Sequence, residues 1–201
     1  NDPITCVCLG SEGDYASGIY DPEIGFSGTN GNNWAIVHFP TEEKLLWWVV
    51  GMLEEQNWDV ISGWNVEFDL DYLRKRCEIL KIPLNLEGSC EFDLLAGYKG
   101  LYRRRSYRLK DIVVDEGIVS TQEPVVDYAK MWEEDKPGLL QRNKNHTEWC
   151  YQIDQKRNIV NLFWNRKELS GLEDLKDIHY VSVLHDTALL RRTEWVLPSK
   201  S

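Results

Sequence analysis

The stretch that decides the reading is Val60-Ile61-Ser62-Gly63-Trp64-Asn65-Val66-Glu67-Phe68-Asp69. A short apolar run ends in Gly-Trp-Asn, a turn signal, and an acidic residue follows at the start of a helical pattern. Asp69 therefore stands near the carboxyl end of a strand, where open α/β sheets place their binding crevices. On its own Asp69 also reads as a first-turn helix aspartate, and Asn65 as a turn residue.

Working outward, the flanking segments alternate between strand and helix. Pro3 to Leu9 and Trp34 to Phe39 read as strands, and Ser17 to Tyr20 as a short one inside a Gly/Asp/Ser-rich stretch from Ser11 to Asn33. Thr41 can cap a helix with Glu42 and Glu43 in its first turn, running to about Gln56 with Leu45, Leu46, Val49, Met52 and Leu53 inward. Val60 to Trp64 is the next strand, and Asp69 to Leu80 a helix that Pro83 ends. Cys90 to Leu94 is a short strand or a helix lead-in, and Tyr107 to Val114 a short helix. Thr147 to about Asn165 predicts one long helix and Gly171 to Leu184 another. The order predicts an α/β fold with a mixed sheet flanked by helices.

Composition narrows the function classes. The 201 residues suit a single domain over 1–201. Hydrophobic residues make up 42% and nine are Trp, which excludes a disordered chain. No apolar run is long enough for a membrane span, and Asn1-Asp2-Pro3 has no signal-peptide pattern. Five scattered cysteines predict reduced thiols in the cytoplasm rather than a disulfide framework, and their spacing does not form a zinc motif. The net charge of -10 argues against a simple basic nucleic-acid binder. It is compatible with a metal-dependent nuclease, whose site is built from carboxylates.

The second acidic candidate is Asp154, in Glu148-Trp149-Cys150-Tyr151-Gln152-Ile153-Asp154. A spacing of four puts Cys150 and Asp154 on one helical face; Asp154 also reads as a plain solvated helix residue. Asp93, in Phe92-Asp93-Leu94-Leu95, reads either as a support for such a site or as a helix cap. Tyr98, Tyr102, Arg103, Arg104, Arg105, Tyr107 and Arg108 interleave aromatic and basic side chains, the combination that single-stranded nucleic acid uses for stacking and phosphate contacts. The same stretch also reads as an exposed charged hairpin.

Gly63-Trp64-Asn65 followed by Phe68-Asp69 resembles the second exonuclease motif of family B (phage and archaeal type) DNA polymerases. Cys150 to Asp154 is similar to the third, a Tyr-x-x-x-Asp helix, with Cys150 in the Tyr position. Phe92-Asp93-Leu94 and Ser106-Tyr107-Arg108-Leu109 also resemble the segments between those motifs, and residues 171–201 the link toward a polymerase palm. The resemblance implies a ribonuclease-H-like (DnaQ-like) 3′–5′ exonuclease domain that trims single-stranded DNA 3′ ends in an intracellular, phage or prokaryotic, setting. It implies Asp69 and Asp154 as ligands of Mg²⁺ or Mn²⁺ in a two-metal site, with Cys150 in the position of the tyrosine that places the attacking water. It further implies Asn65, Phe68, Tyr102, Arg103, Arg104, Arg105 and Tyr107 at the nucleic acid. The family's first motif, Asp-x-Glu on the first strand, lies upstream of an Asp-Pro-Ile-Thr-like segment, and the sequence begins at that segment with Asn1-Asp2-Pro3-Ile4-Thr5. The expectation is therefore a sheet without its usual first strand, weakened catalysis, and an open edge that accepts the remaining polymerase polypeptide or a second copy. The alternative is a catalytically inactive exonuclease-like module that binds nucleic acid or a polymerase.

Overall fold

The computed structural model describes residues 2–24, 27–55 and 58–170. Strand β1 (Cys6–Ser11) turns into β2 (Asp14–Tyr20) through Glu12 and Gly13, both at positive φ (52° and 92°). A two-residue hairpin turn needs that backbone, and glycine supplies it freely at the second position. β2 therefore starts three residues before the segment that reads as a strand in the sequence. β3 (Ser27–Asn30) lies antiparallel to β4 (Trp34–Phe39), and β4 lies parallel to β2, giving the order β1-β2-β4-β3.

Helix α1 (Glu42–Glu55) starts as predicted, with the Thr41 hydroxyl accepting the Lys44 N–H at 3.3 Å. It lies directly on β2. A Cβ added at Gly18 would stand 2.5 Å from Leu45 Cδ1 and 2.6 Å from Trp48 Cζ3, so only glycine allows that approach. β5 (Val60–Gly63) and β6 (Cys90–Asp93) pair in parallel, joined by α2 (Val66–Leu80). α3 (Leu94–Leu101), α4 (Leu109–Asp115), α5 (Tyr128–Glu134), α6 (Lys136–Arg157) and α7 (Ile159–Ser170) follow. Among the described residues no helix is long and apolar enough to cross a membrane.

The long helix predicted from Thr147 to Asn165 is two helices. Asn158 takes a left-handed backbone (φ 51°), ends α6, and lets α7 leave in a new direction. α6 also begins eleven residues earlier than its apolar pattern suggests. Asp135 caps it by accepting the Gly138 N–H at 3.0 Å, and Pro137 sits in the first turn, where a missing N–H costs nothing. α2 starts at Val66 rather than Asp69, which puts Asp69 inside its first turn. The helix predicted over 171–184 and the link over 171–201 lie outside the described residues.

The mixed sheet is present but divided: β1-β2-β4-β3 and β5-β6 are separate sheets. The Tyr20 N–H donates to the Thr5 carbonyl, so odd-numbered residues of β1 bond toward β2 and Cys6, Cys8 and Gly10 direct their backbone groups the other way. The Thr147 hydroxyl reaches the Cys8 carbonyl from α6 at 3.5 Å. The Cys90 N–H donates to the Asp59 carbonyl, and alternation then turns the backbone groups of Val60 and Ser62 away from β6. Among the described residues no further strand pairs with these edges of β1 and β5.

Two cores hold the sheets. One joins α1 and α2 through Leu45, Leu46, Val49, Leu70, Leu73 and Cys77, with Val7 and Leu9 of β1 and Ile61 of β5 packed against it. The other joins Phe92, Tyr98, Ile112, Trp149, Ile153, Ile159 and Phe163, and so ties α3, α4, α6 and α7 to β6. Each fully buried apolar side chain contributes about 1.5–3 kcal/mol of transfer free energy. Across the first core, Arg76 grips the buried Glu42 carboxylate at 2.6 and 2.8 Å, and Glu42 also accepts the Ile4 N–H at 2.8 Å. This bidentate pair fastens the segment before β1 to both helices.

Candidate functional site

The site begins where β5 ends. Asn65 adopts a left-handed backbone (φ 66°, ψ 39°), a conformation that asparagine tolerates better than most residues, and this reverses the chain into α2. Asp93 caps α3 by accepting the Leu95 N–H at 3.0 Å, and the same Oδ1 accepts the Asn65 N–H at 2.8 Å. Asp93 is thus a helix cap that also holds the Asn65 turn. The Trp64 indole N–H donates to the Tyr107 carbonyl at 3.0 Å, and its ring packs 5.7 Å from that of Tyr98.

Asp69 is an exposed residue, but desolvation of its carboxyl first, and the charge of Asp93 second, raise its pKa from its ordinary value. Cys150 comes in from α6 against the Trp64 backbone N–H. Burial, followed by the charges of Asp69 and Asp93, pushes its thiol up to about 12, despite that N–H. The fold thus brings Asp69, Asp93 and Cys150 into one electrostatic neighbourhood, and the thiol stays protonated at neutral pH. A carboxylate whose pKa is raised by a neighbouring like charge, as Asp69 is by Asp93, marks a place that a cation would relieve.

Asp154 lies one turn beyond Cys150, half-buried. Its Oδ1 accepts the Val160 N–H at 2.8 Å, which caps α7 across the Asn158 break. Among the described residues no group of three or more His, Cys, Asp or Glu side chains is arranged to hold a metal ion. Asp69 and Asp154 alone do not make a two-metal site, which needs three or four carboxylates meeting in space.

The basic-aromatic stretch is a loop rather than a hairpin. Arg103, Arg105 and Arg108 are exposed. Arg104 points inward and bonds the Tyr98 hydroxyl at 2.9 Å and Glu116 at 2.9 Å. Tyr102 lies between the Tyr98 ring and the Arg157 guanidinium, each 4.9 Å away. The Tyr107 hydroxyl donates to the Tyr102 carbonyl at 3.1 Å. Arg104 and Tyr107 are thereby occupied in shaping the loop, and Arg103 and Arg105 carry its outward charge. Phe68 is 65% exposed in the first turn of α2, stacked on Tyr72. Glu116, Lys156 and Arg157, which complete this network, had no motif or spacing to announce them.

The described residues form an α/β domain with a mixed sheet and carboxylates at its strand ends. Residues 20–99 match the family model of the DNA polymerase family B exonuclease domain, and over that stretch the chain resembles this family. The match takes in Asn65, Phe68, Asp69 and Asp93 and stops before the basic loop, Cys150 and Asp154. No curated protein matches the chain.

Proposed function

We propose that this chain is the 3′–5′ exonuclease, proofreading-type, part of a family B DNA polymerase, with a ribonuclease-H-like sheet and single-stranded DNA 3′ ends as substrate. The observation that carries the reading is the meeting of Asp69 and Asp93 at the carboxyl ends of two parallel strands inside the matched segment, joined there by Cys150 of α6 from outside it. Members of this family use divalent metals, and Asp69 and Asp154 are the residues assigned here as ligands of Mg²⁺ or Mn²⁺. Among the described residues Asp69 and Asp154 do not by themselves complete the donor set of a two-metal site. Among the described residues the outer edges of β1 and β5 pair with no strand, which supports a sheet completed by one further strand, and an Asp-x-Glu strand of the polymerase polypeptide would bring the remaining carboxylates. A second copy of the chain is the other candidate for that edge. The setting that goes with this reading is the cytoplasm of a prokaryotic or phage-infected cell.

A second reading has its own support: an exonuclease-like module that binds DNA or a polymerase without cleaving. The described residues lack a metal cluster, and Cys150 offers a protonated thiol where the resembling family has a phenol. Degradation of a 5′-labelled single-stranded DNA with Mn²⁺, beside Asp69→Ala, separates the two. A 3′-end ladder that vanishes in the variant establishes the nuclease. Binding by a folded protein without any ladder establishes the module. Sedimentation of the chain across a concentration series shows whether copies pair.

A further inference from the structure

Glu116 has a fully buried side chain at the end of α4, yet three cations converge on it. Arg104 Nη2 stands at 2.9 Å, and Arg157 approaches with Nε at 2.8 Å and Nη2 at 2.7 Å. The Lys156 ammonium lies 3.8 Å from Oε2 and also donates to the Glu116 carbonyl oxygen. The Tyr98 hydroxyl completes the shell as a donor. One carboxylate therefore fixes the positions of side chains from the basic loop and from the last turn of α6.

The cations remain part-exposed: Arg104 by 28%, Arg157 by 32% and Lys156 by 49%. The exposed Arg103, Arg105 and Arg108 continue from them along the loop. The nearby acids are Glu116, Asp115 and Asp111; Asp115 stands 4.0 Å from Arg104 Nε, and Asp111 accepts from Ser106 and Gln122. With Asp154 on α6 the acids number four, and six cations against four acids leave an excess of positive charge on a chain whose net charge is -10. A guanidinium already held in place loses little further entropy when it meets a phosphate.

We infer that Lys156 and Arg157, held on Glu116, extend the Arg103 to Arg108 loop into one cationic surface that takes the phosphodiester backbone of a single-stranded nucleic acid. Asp154 stands three residues before Arg157 on α6, the spacing that puts the two on one helical face. The inference rests on the proposed nuclease reading for the choice of nucleic acid as the anion, but its test needs neither metal nor cleavage.

The test is fluorescence anisotropy of a 5′-fluorescein oligothymidylate with the full chain, in EDTA, over a series of KCl concentrations. Binding to the parent chain should weaken with salt, and Lys156→Ala should flatten the log–log slope by about 0.7, the value for one phosphate contact on a single strand. Arg157→Ala should flatten it similarly. An oligomer with neutral methylphosphonate linkages should bind the parent chain far less tightly, a comparison that does not depend on any variant folding. The inference is overturned if folded Lys156→Ala keeps the parent slope, or if the neutral oligomer binds as well as the charged one. Metal-dependent cleavage with an unchanged slope would leave the nuclease reading standing and remove this surface. A flattened slope without cleavage would do the reverse.

Discussion

Asp93 Oδ1 accepts the Asn65 N–H across the two parallel strands at 2.8 Å, and so locks the left-handed turn that aims α2, with Asp69 in its first turn, at the strand ends. The same oxygen caps α3 at Leu95. One carboxylate thus shapes the turn while its neighbour is left strained beside it.

Asp93→Ala removes a helix cap and leaves the Asn65 N–H without its acceptor. A lost cap costs about 0.5–2 kcal/mol, and the stranded donor adds to that. Urea unfolding should show the loss. A midpoint equal to that of the parent chain would refute the assigned role of Asp93.

Asp69→Asn has the opposite expected sign. The Asp69 carboxyl is raised by desolvation and by Asp93, so the folded state favours its neutral form and the ionised form is destabilising near pH 7. The variant should melt at the same temperature as the parent chain or slightly higher at pH 7, with the difference fading as pH falls through the carboxylate range. A lower melting temperature at pH 7 would show that Asp69 serves stability rather than chemistry.

Glu116 governs acid stability. Burial pushes its carboxyl up, but hydrogen bonds from Tyr98, Arg157 and Arg104 outweigh burial and hold it below its ordinary value of 4.5. A depressed carboxylate contributes stability that is fully present above 4.5 and is lost as pH falls through the lower folded value. Glu116→Gln should therefore flatten the acid limb of a stability-against-pH curve. At pH 7 it should cost a few kcal/mol, toward the low end of the roughly 3–5 kcal/mol of a broken buried pair, because the cations are part-exposed. An unchanged acid limb would count against the network.

Thiol chemistry reads the packing at β1 and α6. Burial pushes Cys6 and Cys150 up to about 12, and raises Cys8 and Cys77 as well. Iodoacetamide at pH 8 followed by peptide mass spectrometry should find these four cysteines protected until denaturant is added. Alkylation of Cys150 in the native protein at the rate of a free thiol would place it outside the site.

Gly18→Ala tests how α1 sits on β2. The new Cβ would meet Leu45 and Trp48 well inside contact distance, and overpacking of this kind costs about 1–3 kcal/mol. Denaturant titration should show a lowered midpoint with the slope retained.

Local chemistry alone determined a good part of this protein. β4 from Trp34 to Phe39, α1 behind its Thr41 cap, β5 before Gly-Trp-Asn and the short β6 follow from apolar pattern and turn residues, because neighbours in the chain decide them. Asp69, Asp93 and Cys150 were legible for the same reason: each sits beside a strand end or on a periodic helix face. Tertiary structure alone decided the rest. Only packing shows that Asn158 breaks the predicted long helix, that Arg104 turns inward to Glu116, and that Lys156 and Arg157 join the loop from a helix some fifty residues away. The division of the sheet is likewise a matter of pairing. A strand's own residues specify that it is extended, but whether its edge finds a partner depends on what the fold brings alongside it, and that lies beyond the reach of local pattern.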